Sequence, residues 1–174
     1  SAEHKCGSDR IREVVERHPE ISYIVNLQGD EPLIKPDSID AVARNVQEDE
    51  KADISTLIRV LKTEEEINNP NLVKCVIDNN GFAMYFSRSK IPYERNTGVA
   101  TFYGHLGIYG YKREALLKMT SLPQTPLEKT ESLEQLRALE NGMKIKTSVV
   151  DFVPVGIDTL EDLEKFKQIV SSKL

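Results

Sequence analysis

Long apolar runs are missing from this 174-residue chain, as are internal repeats, low-complexity tracts and Gly/Ser linkers. No stretch approaches membrane-spanning length and no signal-peptide pattern opens the chain, so neither a membrane helix nor export is expected. There are only two cysteines, Cys6 and Cys75, without metal-ligand spacing and too few for a disulfide scaffold. That scarcity fits a reducing, cytoplasmic setting. Positive charge is in deficit: 23 Lys and Arg face 28 Asp and Glu, a net charge of -5. A surface of that sign does not favour nucleic acid or anionic membranes.

What remains is the composition of a soluble globular protein, 39% hydrophobic and 29% charged, long enough for one domain with a true core. The domain is expected to span residues 1–174. The chain starts at Ser1 rather than Met, and its first feature is already in mid-pattern. It is therefore expected to be a piece of something longer.

Apolar runs rich in β-branched residues alternate with helical patterns. Strands are expected at Tyr23–Gln28, Ile54–Val60, Val73–Asp78, Phe82–Arg88, Phe102–Tyr111 and Lys144–Phe152. Helices are expected at Ser8–His18, Pro36–Glu48, Glu64–Asn68, Lys112–Thr120, Thr130–Asn141 and Thr159–Ser172. Asp78-Asn79-Asn80-Gly81 is a turn signal that joins two strands into a hairpin. The alternation implies an α/β sandwich of three layers, and the hairpin makes its sheet mixed. The apolar run Tyr23-Ile24-Val25 fits a central strand covered on both faces.

That run leads into Gly29, Asp30, Glu31 and Pro32. Gly29 lets the backbone turn, Pro32 stops the ladder, and Asp30 stands just beyond the carboxyl end of a strand. Ligands of open α/β sheets bind at such ends. Asp30 is thus either part of a solvated turn or a magnesium ligand, since magnesium takes one or two carboxylates and fills its shell with water and phosphate oxygens. A second acid, Asp158, precedes the last helix. Either it or Thr159 caps that helix, with Glu161 or Asp162 in the first turn complementing the dipole, or it shares the cation with Asp30.

Five phrases occur in order: NLQGDEPLI, YFSRSKIPYER, HLGIYGY, PLEKTESLEQLRALENG and GIDTLEDLEKF. Together they resemble the 3-deoxy-D-manno-octulosonate (Kdo) cytidylyltransferases, from about His4 to the C-terminal helix. The resemblance implies a nucleotide-diphospho-sugar transferase-like, Rossmann-like fold, truncated at its N-terminus. It also implies transfer of CMP from CTP to Kdo, with pyrophosphate released, in the cytoplasm and for lipopolysaccharide biosynthesis. Magnesium would be held by Asp30 and Asp158, and the enzyme would be a homodimer. Gln28 would lie close to the substrates and Arg10 near the nucleotide. Arg95, His105, Tyr109, Glu134 and Gln135 would read the sugar acid. The family's opening glycine- and arginine-containing loop, which wraps the triphosphate, has no counterpart here, and HKCGSDR replaces an HxSGTDR-like stretch. Another sugar acid, 8-amino-Kdo or sialic acid, is the alternative substrate; a fragment that only binds sugar acid or dimerises is the alternative role.

Residue patterns speak to some of these roles independently. As a period-two strand, FYGHLGIYGY puts Tyr103, His105, Gly107, Tyr109 and Tyr111 on one face and Phe102, Leu106 and Ile108 on the other. His105 and Tyr109 would then stand roughly 13 Å apart along the strand, with the bare backbone of Gly107 between them. This is either a floor for a hydroxylated sugar or a half-buried aromatic stripe. In a continuous Thr130–Asn141 helix, Leu133, Leu136 and Leu139 share a face and Glu134 points away from it. Arg95 offers a guanidinium fork that matches a carboxylate, or is an exposed loop residue. Arg88 is a weaker candidate for an anion. His4, His18 and both cysteines carry no expected role.

Overall fold

The computed structural model of this chain describes residues 7–27, 29, 34–152 and 160–171. Among them the elements run α1 (Gly7–Arg17), β1 (Tyr23–Asn26), α2 (Pro36–Glu48), β2 (Ile54–Val60), α3 (Glu64–Asn68), β3 (Lys74–Ile77), β4 (Ala83–Ser87), β5 (Tyr103–Lys112), α4 (Arg113–Ser121), α5 (Pro126–Glu131), α6 (Gln135–Glu140), β6 (Ile145–Val149) and α7 (Leu160–Ser171).

The strands form one sheet in the order β4-β3-β5-β2-β6, with β1 paired to β5. Among the described strands only β2 and β6 run parallel, and the other pairings are antiparallel. The sheet is therefore mixed, as the hairpin signal implied. In that hairpin Gly81 takes φ 75°, and Asp78 Oδ1 accepts from the Asn80 and Phe82 amides, each at 2.8 Å. Strand β5 is the spine. Its first residues pair with β3 and its last with β1, end to end along one edge, while β2 covers the other.

Among the described residues the two largest hydrophobic cores lie on opposite faces of the sheet. One holds Val15, Ile54, Ile58, Phe86, Tyr111, Leu116, Met119, Leu133 and Leu136, beneath α1, α4 and the α5–α6 pair. The other holds Val42, Leu57, Leu106 and Ile108, beneath α2. Helix α2 sits hard on the sheet because Gly110 has no side chain. A Cβ there would stand 2.4 Å from Ser55 Oγ and 2.8 Å from Val42 Cγ1. On the first face, Arg113 of α4 donates to Val15 O at 2.6 Å and His18 O at 3.1 Å, serving carbonyls at the C-terminal end of α1. That fixes the helix which carries Ser8 and Arg10.

Three expectations change. Ile24 and Val25 do pack into the two opposite cores. Yet β1 is joined only to β5 among the described strands, and Tyr23 is 43% exposed. The strand covered on both faces is β2, whose Ile54–Arg59 are all buried. A short apolar run cannot distinguish these positions.

The Thr130–Asn141 helix is two helices. Ser132 adopts the left-handed conformation, φ 53° and ψ 50°, between α5 and α6. Arg88 is the cause in part: its Nε donates to Glu131 O at 2.8 Å and its Nη2 to Ser132 O at 3.5 Å. These are the open carbonyls of a helix end. Its Nη1 also donates to Pro70 O at 3.1 Å, so Arg88 is a structural tie and not an anion contact.

The third change is in β5. Thr56 pairs with Tyr109 but its neighbour Leu57 pairs with Leu106, so Gly107 and Ile108 are surplus to β2. Two extra residues leave the inside-outside alternation intact but bend the strand locally.

Candidate active site

That bend draws together residues that an even strand would separate. The His105 and Tyr109 rings meet at 5.3 Å between centroids, where roughly 13 Å of strand was expected. No bare floor lies between them. Phe86 meets His105 edge-on at 5.1 Å and Tyr111 stacks on Tyr109 at 5.9 Å, which makes one aromatic row across the sheet.

Over the row is a small cavity of about 90 Å³, lined by Gly7, Ser8, Asn26, Tyr109, Glu134 and Gln135 together with apolar core residues. Four elements supply the polar part: α1 gives Ser8, β1 gives Asn26, β5 gives Tyr109, and the start of α6 gives Glu134 and Gln135. The break at Ser132 is what brings α6 here with its first residues inward. Glu134 does leave the leucine stripe, as the periodicity indicated, and it meets α1: Ser8 Oγ donates to its Oε2 at 2.7 Å. Arg137 Nη2 stands 3.8 Å from its other oxygen. Gln135 is 7% exposed, and neither its amide nor the Tyr109 hydroxyl has a hydrogen-bond partner among the described residues.

The protonation states follow from burial. Burial lowers the His105 imidazole from 6.5 to about 4, so the ring is neutral near pH 7. Burial, and then the neighbouring Tyr111, Glu134 and Cys75, raise the Tyr109 phenol well above its ordinary range, so it keeps its proton. The cavity therefore offers a carboxylate, a protonated phenol and an amide. These suit ligand hydroxyls, which donate and accept, and they disfavour a phosphate or carboxylate next to Glu134.

Of the residues singled out from the sequence, Tyr109, Glu134 and Gln135 line this cavity, and His105 joins through Tyr109. Arg10 lies exposed on α1, two residues from Ser8. Arg95 is exposed in the loop after β4 and forms no ion pair among the described residues. Neither arginine lines the cavity. Gln28, Asp30 and Asp158 lie outside the described residues, as does Cys6. Among the described residues no group of three His, Cys, Asp or Glu side chains could hold a metal ion. No described helix is long and apolar enough to cross a membrane. Cys75 is a buried core thiol, pushed up by burial to about 12.

Ser8, Asn26 and Thr56 were not found from the sequence. Ser8 is part of the GSDR stretch, which singled out Arg10 but gave Ser8 no role. Asn26 closes an apolar strand, a local polar signal. Thr56 lies in a run of buried residues and gave none.

The chain is similar to known proteins over almost its whole length. The cytidylyltransferase family profile matches residues 1–145. The chain is 47% identical over 165 residues to a 3-deoxy-manno-octulosonate cytidylyltransferase of Fusobacterium nucleatum, covering 95% of this chain and 67% of that protein. It is 46% identical over 177 residues to the protein of the same name from Thermodesulfovibrio yellowstonii, covering 94% and 69%. The solved structure of a CMP:2-keto-3-deoxy-manno-octonic acid synthetase complexed with CTP superposes with a TM-score of 0.93 at 37% identity, over 99% of this chain and 70% of that one. The chain belongs to the cytidylyltransferase family, in its 3-deoxy-manno-octulosonate cytidylyltransferase branch.

Proposed function

We propose that the chain transfers CMP from CTP to Kdo, giving CMP-Kdo and pyrophosphate. The observation that carries this reading is the meeting of Tyr109, Glu134 and Gln135 around one cavity suited to hydroxyls, in a chain of this family. Glu134, held by Ser8, accepts from sugar hydroxyls, while Gln135 and Tyr109 donate and accept. The sugar carboxylate is kept from Glu134 by like charge and goes to a cation, for which Arg95 is the proposed partner. The sugar is thereby oriented for direct in-line attack of its anomeric hydroxyl on the α-phosphorus, with no covalent enzyme intermediate.

Asp30 and Asp158 are the proposed magnesium ligands. Two carboxylates are a donor set that suits magnesium, which when bound neutralises phosphate charge. Gln28 and Arg10 are proposed to lie near the substrates and nucleotide. Lipopolysaccharide biosynthesis, a cytoplasmic location and a homodimer belong to the same reading, supported by the family resemblance.

Pyrophosphate release is the test, with CTP, magnesium and either Kdo, 8-amino-Kdo or sialic acid. Turnover with Kdo in preference to the other two is expected, and it is expected to be lost in Asp30→Asn and Asp158→Asn. Preference for another sugar acid would replace Kdo. Absence of turnover with all three would leave the sugar-binding or dimerising role instead.

A further inference from the structure

The surplus residues of β5 create a problem that one side chain solves. Thr56 and Leu57 are consecutive on β2, so they offer no backbone partner to Gly107 and Ile108. Carbonyls two residues apart in a regular strand are separated by roughly 6.6 Å. Here the carbonyls of Leu106 and Ile108 both face the hydroxyl of Thr56, at 3.1 Å and 2.7 Å. Thr56 is fully buried.

The same oxygen lies 2.9 Å from His105 Nε2. A threonine hydroxyl has one proton and two lone pairs. Carbonyls only accept, so that proton is committed to Ile108 O, shared with Leu106 O. A bare Nε2 would then face a lone pair across 2.9 Å, whereas a protonated Nε2 donates to it. The ring is neutral, so its single proton sits on Nε2 and Nδ1 carries a lone pair. No described residue bonds Nδ1.

We propose that Thr56 is a positioning residue for the transfer reaction: it locks His105 in the Nε2–H tautomer and so presents Nδ1 as a hydrogen-bond acceptor for a hydroxyl of the acceptor sugar. The ligand half of this statement rests on the function proposed above; the tautomer half does not. Thr56 touches no substrate and acts through His105.

Nitrogen-15 spectra of ligand-free protein labelled at histidine test the lock directly. The chain has three histidines, and His105→Gln assigns the signal. The wild type is expected to show Nε2–H and a bare Nδ1. Thr56→Val keeps the shape but removes the hydroxyl, and is expected to populate the Nδ1–H form. In the CMP-transfer assay it is expected to raise KM for Kdo roughly two- to tenfold, with kcat nearly unchanged. Thr56→Ser is expected to restore both readouts. An Nδ1–H signal in the wild type overturns the proposal, as does a Thr56→Val protein with wild-type tautomer and KM. If Thr56→Val does not fold, the wild-type tautomer decides alone. If the tautomer responds to Thr56→Val while wild-type protein does not use Kdo, the lock stands and the substrate assignment falls.

Discussion

Ser8 Oγ donates a 2.7 Å hydrogen bond to Glu134 Oε2 across 126 residues of chain, and this bond closes the cavity between α1 and α6. Without it, the carboxylate would be drawn toward Arg137, now 3.8 Å away. Ser8→Ala is therefore expected to raise KM for the sugar acid roughly two- to tenfold, the worth of about one hydrogen bond, and to leave KM for CTP and kcat near their wild-type values. Steady-state kinetics with each substrate varied separately is the check. An equal rise in both KM values would detach Glu134 from the sugar.

His105 gives a pH signature. Its folded value of about 4 lies below the 6.5 of an ordinary imidazole. As pH falls, the unfolded chain takes up this proton first, so stability is complete above about 6.5 and declines toward 4. The decline approaches about 3 kcal/mol for a displacement of this size. Denaturant unfolding of wild type and His105→Gln between pH 7.5 and 4.5 measures it. The wild type is expected to lose stability more steeply; equal slopes would mean that the ring takes up protons in the folded protein as readily as in solution.

The sequence made some of this structure legible and concealed the rest for definable reasons. Helix α2 matched its expected bounds because Pro36 at its start acts locally, and the β3–β4 hairpin announced itself through Asp78 and Gly81. The break at Ser132 was hidden because the guanidinium that serves its carbonyls belongs to Arg88, 44 residues earlier. The contact of His105 with Tyr109 was hidden for the same kind of reason. It depends on Thr56, 49 residues from His105, and on two residues of β5 left without partners. The family phrases singled out Tyr109, Glu134 and Gln135, but not the hydroxyls of Ser8 and Thr56 that hold the site's side chains in place. Such supports are chosen by tertiary contact and leave no periodic trace.

Glu94 makes the loop after β4 a testable support of another kind. Its Oε1 accepts from the amides of Gly98, Val99 and Ala100 at 2.9, 3.1 and 3.0 Å, and these bonds hold its carboxyl below the usual range. Arg95 is the next residue on the same loop. Glu94→Ala is expected to speed tryptic cleavage after Arg95 and to raise KM for Kdo while KM for CTP stays unchanged. Glu94→Gln, which keeps an acceptor, is expected to fall between. Faster cleavage with an unaltered KM for Kdo would remove Arg95 from the sugar site.

The buried pair of Arg137 and Glu128 links stability to the site. Arg137 Nε donates to Glu128 Oε2 at 2.9 Å, its Nη2 to Oε1 at 2.5 Å, and its Nη1 to Leu122 O at 3.3 Å. Burial pushes the Glu128 carboxyl up, but the Arg137 fork and the Thr125 amide outweigh it and hold the group ionised. Arg137→Met leaves that charge buried and unpaired, at a cost of about 3–5 kcal/mol and a Tm lower by on the order of 10 °C. Adding Glu128→Gln removes the stranded charge and is expected to recover part of the loss. Because the pair ties α5 to α6, whose first turn carries Gln135 and follows Glu134, Arg137→Met is also expected to weaken Kdo binding well below its melting temperature. Thermal unfolding of both variants, with KM for Kdo measured at 25 °C, separates the effects. Full stability in Arg137→Met would mean that the fork is not what holds the two helices together.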